Sequence, residues 1–334
     1  MKIGKQSFAF THPPHIIGSA SVVGKEEGKG PLKDSFDVIN EDSYWGQDSW
    51  EKAESAMQKA ALSLAIDKAG HTKQQIELLF SGDLLNQSIS STFAHRESEI
   101  PYFGIYGACS TMGEGLILAS MTVATGLVQT AAAIASSHFC TAERQFRFPL
   151  EYGGQRTPNS QWTVSAAGAS IVSKTGIGPK ITHVTPGKIV DLGITDVNNM
   201  GAAMAPAAYD TIRQHLEDTG RKASDYDLIV TGDLGKLGHK IVSDFFQKDG
   251  INLQNYKDCG LMIFDIKKQN MDAGGSGCGA SAAVLNGYLL RELMQSKKKR
   301  ILFCPTGALL SPTSMGQGES IPGICHAVSI SMID

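Results

Sequence analysis

Between residues 50 and 69 the apolar side chains Ala53, Met57, Ala60, Ala61, Leu64 and Ala65 recur at three-and-four spacing, which predicts a helix with one face on a core. A strand-length apolar run, IELLFSGDL at 76–84, follows it. About 150 residues later the same sequence of events returns: a helical segment at 206–219, then DLIVTGDL at 227–234, again closing on Gly-Asp-Leu. Each of these strands leads through a loop to a turn of small residues and an apolar helix. In the first half the turn is GACSTMG at 107–113, opening a helix over 110–125; in the second it is GGSGCGAS at 274–281, running into 282–293. Strands at 130–137 and 300–305 come next, and further strands near 164–173 and 325–331 close each half.

Alternating helices and buried, β-branched strands predict an α/β fold with mostly parallel sheets. The recurrence predicts two duplicated halves, 1–175 and 176–334, joined at the turn-rich TGIGP of 175–179. Such halves pack around a pseudo-twofold with their central helices buried between the sheets, and neither is expected to fold alone. The most apolar stretch, 116–136, is interrupted by Ser120, Thr122, Thr125, Gly126, Gln129 and Thr130, and reads as helix, turn and strand, not as a membrane span.

Composition narrows the partners. A net charge of -3 gives no basic field for nucleic acid. Six cysteines, Cys109, Cys140, Cys259, Cys278, Cys304 and Cys325, contain no CxxC pair, which argues against structural zinc and for a reducing compartment. Residues 1–10 lack the continuous apolar core of a secretion signal. The basic run at 297–300 reads as a solvated helix end or as a contact with anionic lipid.

Cys109 is the chief chemical candidate. At the start of an apolar helix, unpaired N–H groups and the helix dipole favour a thiolate, although a small buried residue would suit the same crowded turn. Ser110 and Thr111 add hydroxyls there. Asp83, at a strand end, is expected to line the same edge, paired with Arg144, Arg147 or Arg156 or holding a cation. His138 reads either as a pocket residue or as a satisfied core histidine. Ser276 and Gly277 lie in a glycine run that lacks the lysine of a phosphate loop, so it serves close packing or offers backbone donors to a ligand. The segment 139–162, with Arg144, Phe146, Arg147, Phe148, Tyr152, Arg156 and Trp162, reads as a lid over a cleft or as a packed surface loop.

A duplicated α/β half with a cysteine opening its first buried helix resembles the thiolase and ketoacyl-synthase superfamily, over nearly the whole chain. Within it, FAFTHPPHIIGSASVVGKEEGKGPL, DSFDVINEDSYWGQDSWEKAES, FGIYGACSTMGEGL and DAGGSGCGASAAVLNGYLL resemble thiolase-like proteins of sporulation. The resemblance implies a layered αβαβα fold and a protein that binds dipicolinic acid, with or without calcium, for uptake into the developing spore. It further implies membrane partners of the same channel, a homodimer, and a place in the cytoplasm or on the spore inner membrane with no transmembrane segment.

Condensing enzymes of the superfamily bring a histidine, and an asparagine or second histidine, from the second half to the sulfur. Here Gly232 and Asp233 stand about where the first histidine belongs, and Ser276 or Gly277 at the second place. His239 lies a few residues beyond. A non-catalytic binding protein with Cys109 as a vestigial nucleophile is therefore expected, with no cofactor and no metal site. An acyltransferase using Cys109 and a structural subunit with an unused pocket are the competing readings.

Overall fold

The same five-strand plan is built twice. In the first repeat the strands lie in the order Tyr102–Gly104, Leu78–Asp83, Thr130–Ser137, Ala166–Ser173, His15–Val23. In the second the order is Tyr256–Asp258, Leu228–Thr231, Arg300–Cys304, Ala327–Ser331, Lys180–Thr185. Within each repeat the first three strands are parallel, the fourth runs antiparallel to them, and the fifth is antiparallel to the fourth. These relations come from a computed structural model, which describes residues 1–146 and 156–333.

The sheets are thus more mixed than the alternating pattern predicts. A parallel neighbour requires a long crossover, normally a helix. Between Arg300–Cys304 and Ala327–Ser331 the chain makes only a small hairpin, Thr306–Ala308 with Gly323–Cys325, and the five-residue helix Pro312–Gly316. The returning strand therefore runs antiparallel.

Two helices fill the space between the sheets. One is Thr111–Ala124; the other runs from Cys278–Ala283 through a π-helical turn, Val284–Leu289, into Leu290–Met294. Met112, Leu116, Ile117 and Val123 of the first share a core with Ala280, Val284, Leu285 and Leu289 of the second. Burying a side chain of the size of Leu116 contributes about 1.5–3 kcal/mol. The strand Thr130–Ser137 is buried along its whole length, and its small residues let helices approach both faces. On the outer faces, Trp50–Lys68 packs on the first sheet and Met200–Thr219 on the second, completing the helix–sheet–helix–sheet–helix layering.

Helix Met200–Thr219 begins earlier than the expected 206, because Asn199 caps it by accepting from the Ala202 N–H. Pro206, a favoured first-turn residue, marks the sequence start wrongly. The sheets meet where Lys180 pairs with His15. The amino-terminal strand Ser7–Ala9 crosses to pair with Lys180–Thr185 of the second repeat. There the Asp218 carboxylate accepts the backbone N–H groups of Lys5, Gln6 and Ser7, which hold its pKa down at about 2 despite burial.

Several buried titratable groups make stability depend on pH. Burial pushes Glu54 from an ordinary 4.5 up to about 8 and Glu27 to about 7, while it holds His95 down at about 4 and His215 at about 3. Above pH 4.5 the unfolded chain has released carboxyl protons that folded Glu54 and Glu27 still hold, so stability falls as pH rises through these folded values. Below pH 6.5 unfolded histidines take up protons that His95 and His215 refuse, so stability falls on acidification. Between pH 4.5 and 6.5 the two effects oppose one another, so the thermal midpoint should be highest within that window and fall above it, and Glu54→Gln should remove much of the alkaline loss. A midpoint that climbs steadily from neutrality to pH 8 would contradict this assignment.

Candidate functional site

Cys109 lies in a tight 3₁₀ turn, Ala108–Ser110, that leads into the helix Thr111–Ala124. Ala108 is held at φ +49°, a left-handed conformation that costs a residue with a Cβ about 1–3 kcal/mol. Local hydrogen bonds sustain it: Ser110 Oγ donates to Gly107 O at 2.7 Å, Thr111 Oγ1 to Ala108 O at 2.7 Å, and Gly107 N to Thr111 Oγ1 at 3.2 Å. The hydroxyls of Ser110 and Thr111 are thereby engaged in shaping the turn, and neither residue lines the adjoining cavity.

Facing the sulfur stands Asp233, just past the end of strand Leu228–Thr231. Its buried carboxylate accepts from Gly277 N at 2.8 Å, from Thr306 Oγ1 at 3.0 Å and from Ser276 Oγ at 3.4 Å, and it lies close enough to the Cys109 thiol for the two groups to shift one another's protonation. Gly277 makes this possible at φ +96°, where an added Cβ would come within 2.7 Å of Ser137 Oγ. Burial raises Asp233 to about 6 even against these donors. Burial, and then the Asp233 charge, push the Cys109 thiol well above its ordinary value of 9.0. The helix start does not yield the thiolate that its dipole favours, because desolvation and a neighbouring anion outweigh it.

Beside this pair lies a cavity of about 90 Å³, room for about three waters at the liquid's ~30 Å³ each. Leu84, Tyr106, Phe146 and Ala308 form apolar walls; Gln161, Asn198, Ser276 and Glu143 add polar ones. Gln161 Nε2 donates to Asp233 O at 2.6 Å and Gly275 O at 2.9 Å, tying the loop of the first half to the second. Glu143 accepts from Thr163 Oγ1 at 2.9 Å. Glu143 and Gln161 fall within the 139–162 segment that reads as a lid or packed loop, where the basic and aromatic residues draw attention and these two do not; Asn198 comes from an irregular segment that nothing in the sequence pattern marks.

Several expected site residues stand elsewhere. The Asp83 carboxylate is buried and accepts from Leu85 N, Ser91 N and Ser91 Oγ at 2.9–3.0 Å; its neighbour Leu84 meets the cavity instead. Asp83 is a turn-and-helix cap, and burial beside Glu54 raises its pKa. His138 donates through Nε2 to Ser43 O at 2.9 Å and does not line the cavity. Arg144 pairs with Glu51 and lies over Trp50, while Arg156 pairs with Asp272 and stacks on Trp162, so neither is an Asp83 partner. Arg147, Phe148 and Tyr152 lie outside the described residues.

Among the described lining residues there is no histidine. His239 stacks on Tyr256, ring centroids 4.3 Å apart, and His326 Nδ1 accepts from Gly187 N at 3.1 Å. Nor do the described residues contain a cluster of three or more His, Cys, Asp or Glu that would hold a metal. No described helix is long and apolar enough to cross a membrane.

Residues 4–331 match the family model of stage V sporulation protein AD. The chain is 44% identical over 326 residues to stage V sporulation protein AD of Bacillus subtilis, covering 97% of this chain and 96% of that one. Its fold is similar to OleA of Xanthomonas campestris, with a TM-score of 0.62 at 14% identity over 97% of this chain and 100% of that one. It is also similar to the Acat5 thiolase of Ascaris suum, TM-score 0.60 at 11% identity over 96% and 100%. A third likeness is 3-oxoacyl-[acyl-carrier-protein] synthase III of Aquifex aeolicus, TM-score 0.59 at 14% identity over 95% and 99%. At these identities the solved structures establish the thiolase-like fold.

Proposed function

Because the chain belongs to the stage V sporulation protein AD family, we propose that it is a non-catalytic thiolase-fold protein that binds dipicolinic acid for uptake into the developing spore. One observation carries this reading: the cavity persists, but the group facing its cysteine is a carboxylate. A condensing cysteine must lose its proton and share its site with donors for a developing oxyanion. Cys109 instead keeps its proton against Asp233, and the Gly277 N–H is already given to that carboxylate.

Pyridine-2,6-dicarboxylate is flat and would enter between the apolar walls of Leu84, Tyr106 and Phe146 as these move apart to widen the cavity, with polar partners at Asn198 and Ser276; the Gln161 N–H groups are already given to Asp233 O and Gly275 O. Glu143 and Asp233 would repel a free dianion, so the neutral one-to-one calcium chelate is the better matched form. The protein would work with membrane partners of the same channel, from the cytoplasm or the inner spore membrane. Its two halves, 1–175 and 176–334, act as one binding unit. Pairing of two copies would run through the edge strand Tyr102–Gly104, where Phe103 is exposed.

Calorimetric titration of the full chain with dipicolinate should show saturable binding without coenzyme A, stronger with equimolar calcium, and bound ligand should slow alkylation of Cys109. Isophthalate, which lacks the ring nitrogen, should bind calcium and protein more weakly. Absence of both heat and protection would sink the reading. A Cys109 acyl adduct that turns over with an acyl-coenzyme A would instead establish the acyltransferase alternative.

A further inference from the structure

At the end of the sheets away from the cysteine, one row of cross-strand neighbours runs through six strands: Thr130, Ser173, His15, Lys180, Ser331 and Arg300. The turns just beyond that row therefore share a single rim. They carry aliphatic side chains that the fold does not cover: Ile177 is 94% exposed, Leu127 77% and Met294 60%, with Met332 and Ile333 partly exposed beside them. Lys174 N bonds to Gln129 O and Met332 N to Lys299 O, which ties these turns to the row and to one another. Near Thr125 an open groove of about 640 Å³, lined by Met1, Phe8, Phe10 and Met121, adjoins the rim.

Cations are interleaved with these apolar tips. Lys174, Lys297, Lys298, Lys299 and Arg300 lie on the rim of a chain whose net charge is -3. Three carboxylates stand among these five cations: Glu292 pairs with Lys297 and Lys298, Asp227 accepts the backbone N–H groups of Lys299 and Arg300, and Glu77 accepts that of Gln129, so cations outnumber these acids. Aliphatic tips set among lysines match the boundary of an anionic bilayer, where acyl chains cover the former and headgroup phosphates meet the latter.

We propose that this rim, formed by the turns around Leu127, Ile177 and 294–299, seats the protein on an anionic lipid surface. The cavity beside Cys109, at the opposite ends of the same strands, then opens away from that surface.

Co-sedimentation of the full chain with phosphatidylglycerol–phosphatidylcholine vesicles, against pure phosphatidylcholine, tests this. The parent should pellet with the anionic vesicles and be released by salt. Lys297→Gln with Lys299→Gln should lower partitioning on the order of twenty-fold, about fivefold per cation, and Leu127→Ser with Ile177→Ser at least about tenfold. Phe93→Ser, exposed on another face, should leave it unchanged. Equal binding to neutral vesicles, or rim variants that pellet like the parent, overturns the proposal. So does a dimer in sedimentation velocity that Ile177→Ser splits, which would assign the rim to a second copy. All these positions are exposed or partly exposed, and circular dichroism checks that each variant keeps its fold.

Discussion

Asp233→Asn should release the Cys109 thiol, speeding its alkylation by iodoacetamide at pH 8 by tenfold or more. The substitution keeps the shape of the side chain and an oxygen for the Gly277 N–H, so the turn at Gly277 is retained. It removes the charge that, after burial, does most to oppose thiolate formation. Because burial remains, the thiol should stay above the ordinary cysteine range, so both proteins should react faster as pH rises, with the fold-gain level until the pH nears the variant's own thiol pKa and shrinking beyond it. Asp83→Asn is the matched control: that carboxylate is engaged with Leu85 and Ser91, and its loss should leave Cys109 reactivity nearly unchanged. If Asp233→Asn reacts at the parent rate while Asp83→Asn reacts faster, the partner of the sulfur has been assigned to the wrong repeat.

Ala308→Phe should weaken dipicolinate binding by more than about a hundredfold while the protein remains folded. Ala308 lies on the short strand Thr306–Ala308, is almost fully buried, and forms part of the cavity wall. A phenyl ring placed there takes up space of the same order as the whole cavity, so ligand and side chain compete for one volume. Overpacking should cost about 1–3 kcal/mol of stability, which a denaturant titration would register separately from binding. Cys109→Ala, which enlarges the cavity slightly and removes a thiol that faces Asp233, should alter affinity far less. A folded Ala308→Phe protein that binds as well as the parent would remove the cavity from the argument.

The repeat was plain in the sequence because each half carries the same periodic helix, the same Gly-Asp-Leu strand end and the same small-residue turn. The strand 130–137 and the cysteine helix fall within a residue or two of where apolar patterning puts them. Other strands escaped it. His15–Val23 pairs on both sides and carries alternating small and apolar residues among polar ones, and Lys180–Thr185 is short and half polar, so neither rises above its surroundings as a periodic signal.

At the site, the sequence puts Gly232 and Asp233 about where a condensing enzyme has its histidine, and among the described residues no histidine lines the cavity. The fate of individual polar groups was not legible in the sequence. Whether a hydroxyl at a helix start meets a ligand or its own backbone depends on turn geometry, and Ser110 and Thr111 both closed on Gly107 and Ala108. Asp83 and Asp233 occupy matching places in the two repeats, yet one caps the helix Ile89–His95, while the other is held by Gly277 and Thr306 of its own repeat and faces Cys109 of the other. That difference arises from tertiary contacts of Gly277 and Thr306, which no local pattern encodes.

The crossing of Ser7–Ala9 onto the second repeat works as a clasp. A segment made first in the chain is needed to complete the half made last, and Asp218 fastens it with three backbone hydrogen bonds. A nick in the 175–179 connector would leave the two pieces interlocked, since the amino-terminal piece keeps a strand that belongs to the other's sheet. Synthesis imposes an order on this arrangement: the ribosome must finish strand Lys180–Thr185 before the leading residues have anywhere to dock.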